Sequence, residues 1–130
     1  MDRSERNSPH GVRVRPCRHG LMAYLANDEY VGRSLEHYGE FSEAEVHLLC
    51  RLVSPGDVIV DAGANVGTHT VPLARRVGAR GRVLAFEPQR PMFLLLCANV
   101  AVNGLWQVWP EHVVLAGSSG SILVPELDLE

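Results

Sequence analysis

The sequence predicts an α/β fold built on a doubly wound, mostly parallel sheet, and three observations carry that prediction. The first is the stretch V-I-V-D-A-G-A-N-V-G, Val58 to Gly67, in which three apolar residues run into an acid and then into a loop of small residues. The second is V-L-A-F-E, an apolar run that again ends on an acid, Glu87, twenty positions after Gly67. The third is helix-period patterning in the segments that follow each run, which gives the order β-α-β-α-β. Two parallel strands ending side by side, each with a carboxylate at its carboxyl end, form a crevice suited to a nucleoside.

The elements follow in order. Residues 1–18 carry Arg3, Arg6, Arg13, Arg15 and Arg18 among Ser, Pro and Gly, and read as a flexible, solvated tail rather than an anion-binding arm. From Gly20 to Leu35 the chain reads as a hairpin turning at Asn27-Asp28. Ser42 and Glu45 have capping-box spacing and open a helix with Val46, Leu49 and Val53 on one face. Ser54-Pro55-Gly56-Asp57 stops it. Val58 to Asp61 has no alternation, as expected of a parallel strand buried on both faces. The next helix begins near Gly67, with Val71, Leu73, Ala74 and Val77 on its apolar side and Arg75-Arg76 complementing its C-terminal dipole. Gly78 and Gly81 break it before the strand Arg82 to Glu87. Pro91 suits the first turn of a third helix that ends at Asn103-Gly104. Val113 to Ala116 and Ser121 to Val124 read as short closing strands around a Gly-Ser-Ser-Gly turn. The domain reading is therefore a tail over 1–18, a hairpin-and-helix lead-in over 19–57, and a cofactor-binding domain over 58–130.

Composition narrows the function classes. The chain has 130 residues, 46% of them hydrophobic and 21% charged, an ordinary globular balance. The net charge of -3 gives no electrostatic case for nucleic acid as a partner. All twelve basic residues are arginine, which excludes a lysine nucleophile or Schiff base. Cys17, Cys50 and Cys97 contain no C-x-x-C pair, so neither a zinc site nor a disulfide framework is expected. They read as reduced, buried thiols of a cytoplasmic protein. The first ten residues lack an apolar core, so no secretory signal is expected. The longest apolar run, Met92 to Ala98, is too short to cross a bilayer, so no membrane is expected. The six histidines show no metal-ligand spacing.

The loop after Asp61 has the chemistry of a close backbone approach. Gly63 and Gly67 carry no side chain and tolerate positive φ. Ala62 and Ala64 keep the loop narrow, and Asn65 is among the few other residues that accept a left-handed conformation. The helix start beyond it points free N–H groups at an anionic part of a ligand. Glu87, at the tip of the second strand, suits two ribose hydroxyls, each accepted by a charge-assisted bond of roughly 1.5–3 kcal/mol. The glycines do not follow G-x-G-x-x-G: counted from Gly63, the third glycine would fall on Thr68. The spacing fits NAD poorly.

The observed D-x-G-x-N-x-G resembles the first motif of class I S-adenosylmethionine (SAM) methyltransferases. D-A-G-A-N-V-G, the E-P-Q after the second strand, L-C-A-N-V-A-V-N-G and the upstream Y-V-G-R-S-L-E-H-Y-G-E-F-S-E-A-E resemble the FkbM family in particular, over residues 20 to 128. The resemblance implies a Rossmann-like methyltransferase core with SAM as cofactor. Asp61 and the Gly63 backbone would hold its methionine end, with Ala64, Asn65 and Gly67 shaping the loop. Glu87 would take the ribose hydroxyls, and Pro88 would lie near the adenine edge. It implies methyl transfer to a hydroxyl oxygen of a small metabolite or glycan. The family also carries further strands and an acidic D-x-E-G-type motif not found here, so the expectation is an incomplete core lacking its acceptor half. A non-catalytic SAM-binding remnant is the alternative. No catalytic residue is assigned. His69 is a candidate to line the site. Glu36, Tyr38, Glu40 and Glu43 could close over it but suit hairpin and cap roles better. Trp106 and Trp109 read as packing beside a short strand, not as a stacking platform.

Overall fold

The computed structural model describes residues 11–127. A two-stranded antiparallel hairpin, β1 (Val12–Cys17) and β2 (Gly20–Leu25), leads into helices α1 (Val31–Tyr38) and α2 (Glu43–Leu52). Then come β3 (Val58–Ala62), α3 (Thr70–Val77), β4 (Arg82–Phe86), α4 (Arg90–Val102) and β5 (Val108–Glu111). The last three strands form a parallel sheet in the order β3-β4-β5. The β-α-β-α-β core is therefore present.

Register explains which side of this sheet is covered. Ile59, Asp61, Val83, Ala85 and Val108 point to one face, where Val83 and Ala85 have no exposure. That face packs with Val71, Ala74 and Val77 of α3, Leu96 and Val100 of α4, and Met22 and Tyr24 of β2 in one core. The opposite face carries Val58, Val60, Leu84 and Trp109. Val58 is 67% exposed and Val60 58%. The expectation of a β3 buried on both faces is thus corrected. An unalternating apolar run satisfies a two-sided sheet, but among the described residues helices cover one side only, and β3 is an edge strand.

The lead-in differs most from expectation. The hairpin turns at Arg18-His19, and Val12–Cys17 of the anticipated tail is its first strand. Residues 1–10 of that tail lie outside the described residues. Asn27-Asp28 is a helix entry instead of a hairpin turn: Asp28 Oδ1 accepts the N–H groups of Tyr30 (2.9 Å) and Val31 (3.1 Å) and caps α1. Ser42 and Glu45 meet side chain to side chain, Oγ to Oε2 at 2.9 Å, with Ser42 at φ 52, so the reciprocal backbone bonds of a capping box do not form. Toward the C-terminus, Val113–Ala116 and Ser121–Val124 form no strand; the third strand is β5, upstream. Its interior Pro110 argues against a strand, yet β5 pairs with β4 alone and an edge tolerates a missing donor.

Helix α4 fastens the hairpin to the core with side chains. Asn99 Oδ1 accepts the Ala23 N–H (2.6 Å), and Asn99 Nδ2 donates to Ala23 O (2.9 Å). One helical turn on, Asn103 treats Leu21 the same way, at 3.1 and 2.8 Å. The two amides, four residues apart, satisfy the free edge of β2 as a neighbouring strand would.

Fully buried Tyr24 donates its hydroxyl to Glu36. Burial, and then this bond, push Tyr24 up to about 12. A tyrosine in the unfolded chain ionises near 10. The unfolded state therefore loses its proton first, so the stabilisation is complete below about pH 10 and is lost as pH rises through about 12. Urea midpoints at about pH 9 and about pH 12 should drop more steeply for the wild type than for Tyr24→Phe.

Candidate functional site

The loop between β3 and α3 is held by β4. The N–H groups of Gly63 and Ala64 both donate to Phe86 O, at 2.8 and 2.9 Å. Three residues adopt the left-handed region here: Gly63 (φ 76), Asn65 (φ 53) and Gly67 (φ 96). Asn65 supports its own conformation, since its Oδ1 accepts the Val66 N–H at 2.8 Å. The two glycines serve different ends. A Cβ on Gly63 would meet nothing within 4 Å, so space is open over that backbone. A Cβ on Gly67 would lie 3.0 Å from Leu96 Cδ1, so Gly67 permits α4 to approach the loop from within.

Glu87 is 4% exposed, and both of its oxygens are engaged with backbone. Oε2 accepts the Asn65 N–H at 2.7 Å and Oε1 accepts the Gln89 N–H at 2.8 Å. The tip of β4 and the loop after β3 are thereby locked together across 22 residues of sequence. Each oxygen keeps a lone pair for a further donor. Pro88, half-buried, presents its carbonyl to His112 Nε2–H at 3.0 Å, and the His112 ring stacks on Phe93 at 5.0 Å.

Asp61 faces elsewhere. Its Oδ2 accepts the hydroxyl of fully buried Thr70 at 2.6 Å, tying the end of β3 to the first residue of α3. With Ala62, His69 and Glu45 it lines a cleft of about 250 Å³ beside the β3 edge. His69 Nε2 sits 3.2 Å from Glu45 Oε2, with its ring edge-on to Phe41. Asn65, by contrast, lines a cavity of about 290 Å³ with Leu25, Asn27, Asp28, Gln89 and Met92. Leu25 and Gln89 also border a larger apolar cavity of about 720 Å³ that reaches His112. The structure thus brings Asn65 and Glu87 into direct contact, while Asp61 and His69 border a separate cleft.

The sequence reading passed over three supports of this region. Thr70 holds Asp61, and Asp28 shares the Asn65 cavity. Asn99 Nδ2 also donates to Val66 O at 2.7 Å, so the amide that grips β2 grips the loop as well. A buried amide amid the apolar residues of α4 was the available signal. Glu36 binds Tyr24, and Glu40 and Glu43 pair with Arg18, all within the lead-in. Tyr38 and Trp106 are exposed, and the Arg82 guanidinium lies 5.1 Å over the Trp109 ring. All three cysteines are free and half-buried, with burial pushing their thiols up, so they stay protonated. Among the described residues there is no cluster of metal-ligating side chains, and no helix is long and apolar enough to cross a membrane.

No family model matches the chain, and none of the curated proteins does. Solved structures do. A candidate rRNA-methylase from Clostridium thermocellum is 26% identical at a TM-score of 0.53, over 55% of this chain and 39% of its own. TYW2 from M. jannaschii, in complex with AdoMet, is 23% identical at a TM-score of 0.60, over 84% and 45%. A SAM-dependent O-methyltransferase from Thermotoga maritima is 21% identical at a TM-score of 0.53, over 78% and 40%. The fold is therefore the Rossmann-like α/β fold of class I methyltransferases. The chain spans between 39% and 45% of the length of these three structures.

Proposed function

We propose that this chain is the cofactor-binding half of a SAM-dependent methyltransferase of FkbM type, acting on a hydroxyl of a small metabolite or glycan. One observation carries the reading: a loop with left-handed Gly63 and Asn65, open space over Gly63, and a buried carboxylate from the next strand clamped to the Asn65 N–H. The residues present fit the cofactor. Gly63 leaves room for its chain, Asn65 lines a cavity at the loop, and Glu87 retains lone pairs for sugar hydroxyls. Asp61 acts through Thr70 on the helix start, and Pro88 borders the His112 side. Bound SAM supplies a sulfonium methyl whose leaving group is already activated, so the chain's own work is alignment.

The acceptor reading rests on the mild negative charge and the family resemblance. The fold gives no reason to exclude RNA, since the Clostridium thermocellum structure named for an rRNA-methylase shares it. Free thiols support a cytoplasmic location. A second reading, a SAM-binding fragment without activity of its own, is favoured by the open sheet face, which supplies no second wall for an acceptor among the described residues. Methyl transfer by the isolated chain would decide against it.

The cofactor assignment has a direct test. SAM should raise the melting temperature of the chain and NAD should leave it unchanged. Stabilisation by NAD alone would overturn the assignment.

A further inference from the structure

We propose that Thr70 is a positioning residue for the cofactor: by holding one oxygen of Asp61 it reserves the other for the ammonium group at the amino-acid end of SAM. The inference rests on the SAM-binding reading. Thr70, the first residue of α3, has no exposure, and its hydroxyl donates to Asp61 Oδ2 at 2.6 Å. A threonine in a helix can instead turn its hydroxyl back to the carbonyl four residues earlier. Here that carbonyl is Val66 O, and Asn99 Nδ2 already donates to it at 2.7 Å. Packing limits the side chain as well. A Cβ on Gly67 would meet Thr70 Cβ at 3.6 Å and Oγ1 at 3.8 Å, so the loop lies directly against it. Valine would fill this buried space with the same shape. What threonine adds is the proton on Oγ1.

That proton fixes a carboxylate that would otherwise turn. The χ2 torsion of an aspartate is broad and roughly two-fold, so its oxygens exchange places unless one is held. The Gly63 and Ala64 N–H groups do not compete for them, because both donate to Phe86 O. With Oδ2 occupied, Oδ1 makes no hydrogen bond among the described residues. Asp61 is half-buried and lines the cleft of about 250 Å³ with Ala62, His69 and Glu45. The cleft favours a cation, since it sets two carboxylates against one imidazole. Glu45 is paired with His69 at 3.2 Å, whereas Asp61 makes no ion pair among the described residues. A primary ammonium has three donors and no acceptor, so it needs a carboxylate oxygen with free lone pairs.

Position joins this cleft to the rest of the proposed cofactor site. Asp61 and Ala62 line the cleft, and Asn65, bonded to Glu87, lines the cavity of about 290 Å³. Gly63 lies between them with open space over its backbone. Four residues reach at most about 14 Å, the scale of a nucleoside with its amino-acid arm extended. A ligand with its ribose at Glu87 and its ammonium at Asp61 therefore crosses the loop over Gly63.

The test is a calorimetric titration of the full chain with S-adenosylhomocysteine and with 5′-methylthioadenosine. Both are uncharged at sulfur, and only the first carries the amino-acid arm. Thr70→Val should weaken S-adenosylhomocysteine binding at least about tenfold and change 5′-methylthioadenosine binding by less than about twofold. Thr70→Ser restores the proton and should return the first affinity to within about threefold of wild type. Asp61→Asn should show the same selective loss, and Thr70→Val should add little to it, because both changes act on one contact. Thr70→Ala is the donor-free variant to use should the valine chain fail to fold. The proposal is overturned if the donor-free variant binds S-adenosylhomocysteine as wild type does, if both compounds are weakened alike, if serine does not rescue, or if the losses at Thr70 and Asp61 simply add. Wild type that binds neither compound would remove the SAM reading itself, and this inference with it.

Discussion

Replacing Asn99 with leucine is expected to cost about 3–6 kcal/mol of stability, the largest loss from any single substitution considered. The side chain has no exposure and satisfies three backbone groups: the N–H and C=O of Ala23 and the C=O of Val66. Leucine fills a similar volume and satisfies none of them. Each buried polar group left unpaired costs roughly 1–3 kcal/mol. Asn99→Asp keeps one acceptor for the Ala23 N–H but loses both donors and adds a buried charge, so it should fare no better. Urea unfolding checks this, and a loss below about 1 kcal/mol would show that the amide is dispensable.

Glu87→Gln is expected to weaken SAM binding by at least about tenfold, equivalent to roughly 1.4 kcal/mol. The change conserves shape and removes charge. The glutamine amide accepts at one oxygen only, so either the Asn65 or the Gln89 N–H loses its partner. The loop then loses its clamp, and the sugar hydroxyls of the proposed cofactor site lose a charged acceptor. Structural and binding effects separate in the measurement. The stability loss appears without ligand, in urea. The affinity loss appears in calorimetry at a temperature where the variant is folded. Affinity equal to wild type at that temperature would take Glu87 out of the site. Glu87→Ala leaves both amides unpaired and should be less stable again.

What the sequence disclosed follows from how local the chemistry is. Gly63, Asn65 and Gly67 were legible because only such residues take positive φ cheaply, and all three do. Helix α4 was legible at both ends, from Pro91 in its first turn and Asn103 at its cap. Where one residue type serves two devices, sequence could not choose. Asn27-Asp28 suits a hairpin turn and a helix cap alike, and long-range packing of Leu35 and Val31 settled it as a cap. Pro110 hid β5 because edge status depends on which strands pair, which no window of residues contains. The Asp61–Thr70 bond hides in the same way, since Thr70 comes within reach of Asp61 only once α3 packs beside β3. Asn99 lies 76 residues from Ala23, and nothing in the spacing of either announces the bond.

That shared amide gives the hairpin and the left-handed loop a common tether. A molecule that orders the loop is expected to order Ala23 as well through Asn99, though α1, α2 and β3 separate the two in sequence. A disturbance to the hairpin is felt in return as slack at Val66. News of an occupied crevice can thus reach the hairpin through a single carboxamide, without a shift of the sheet.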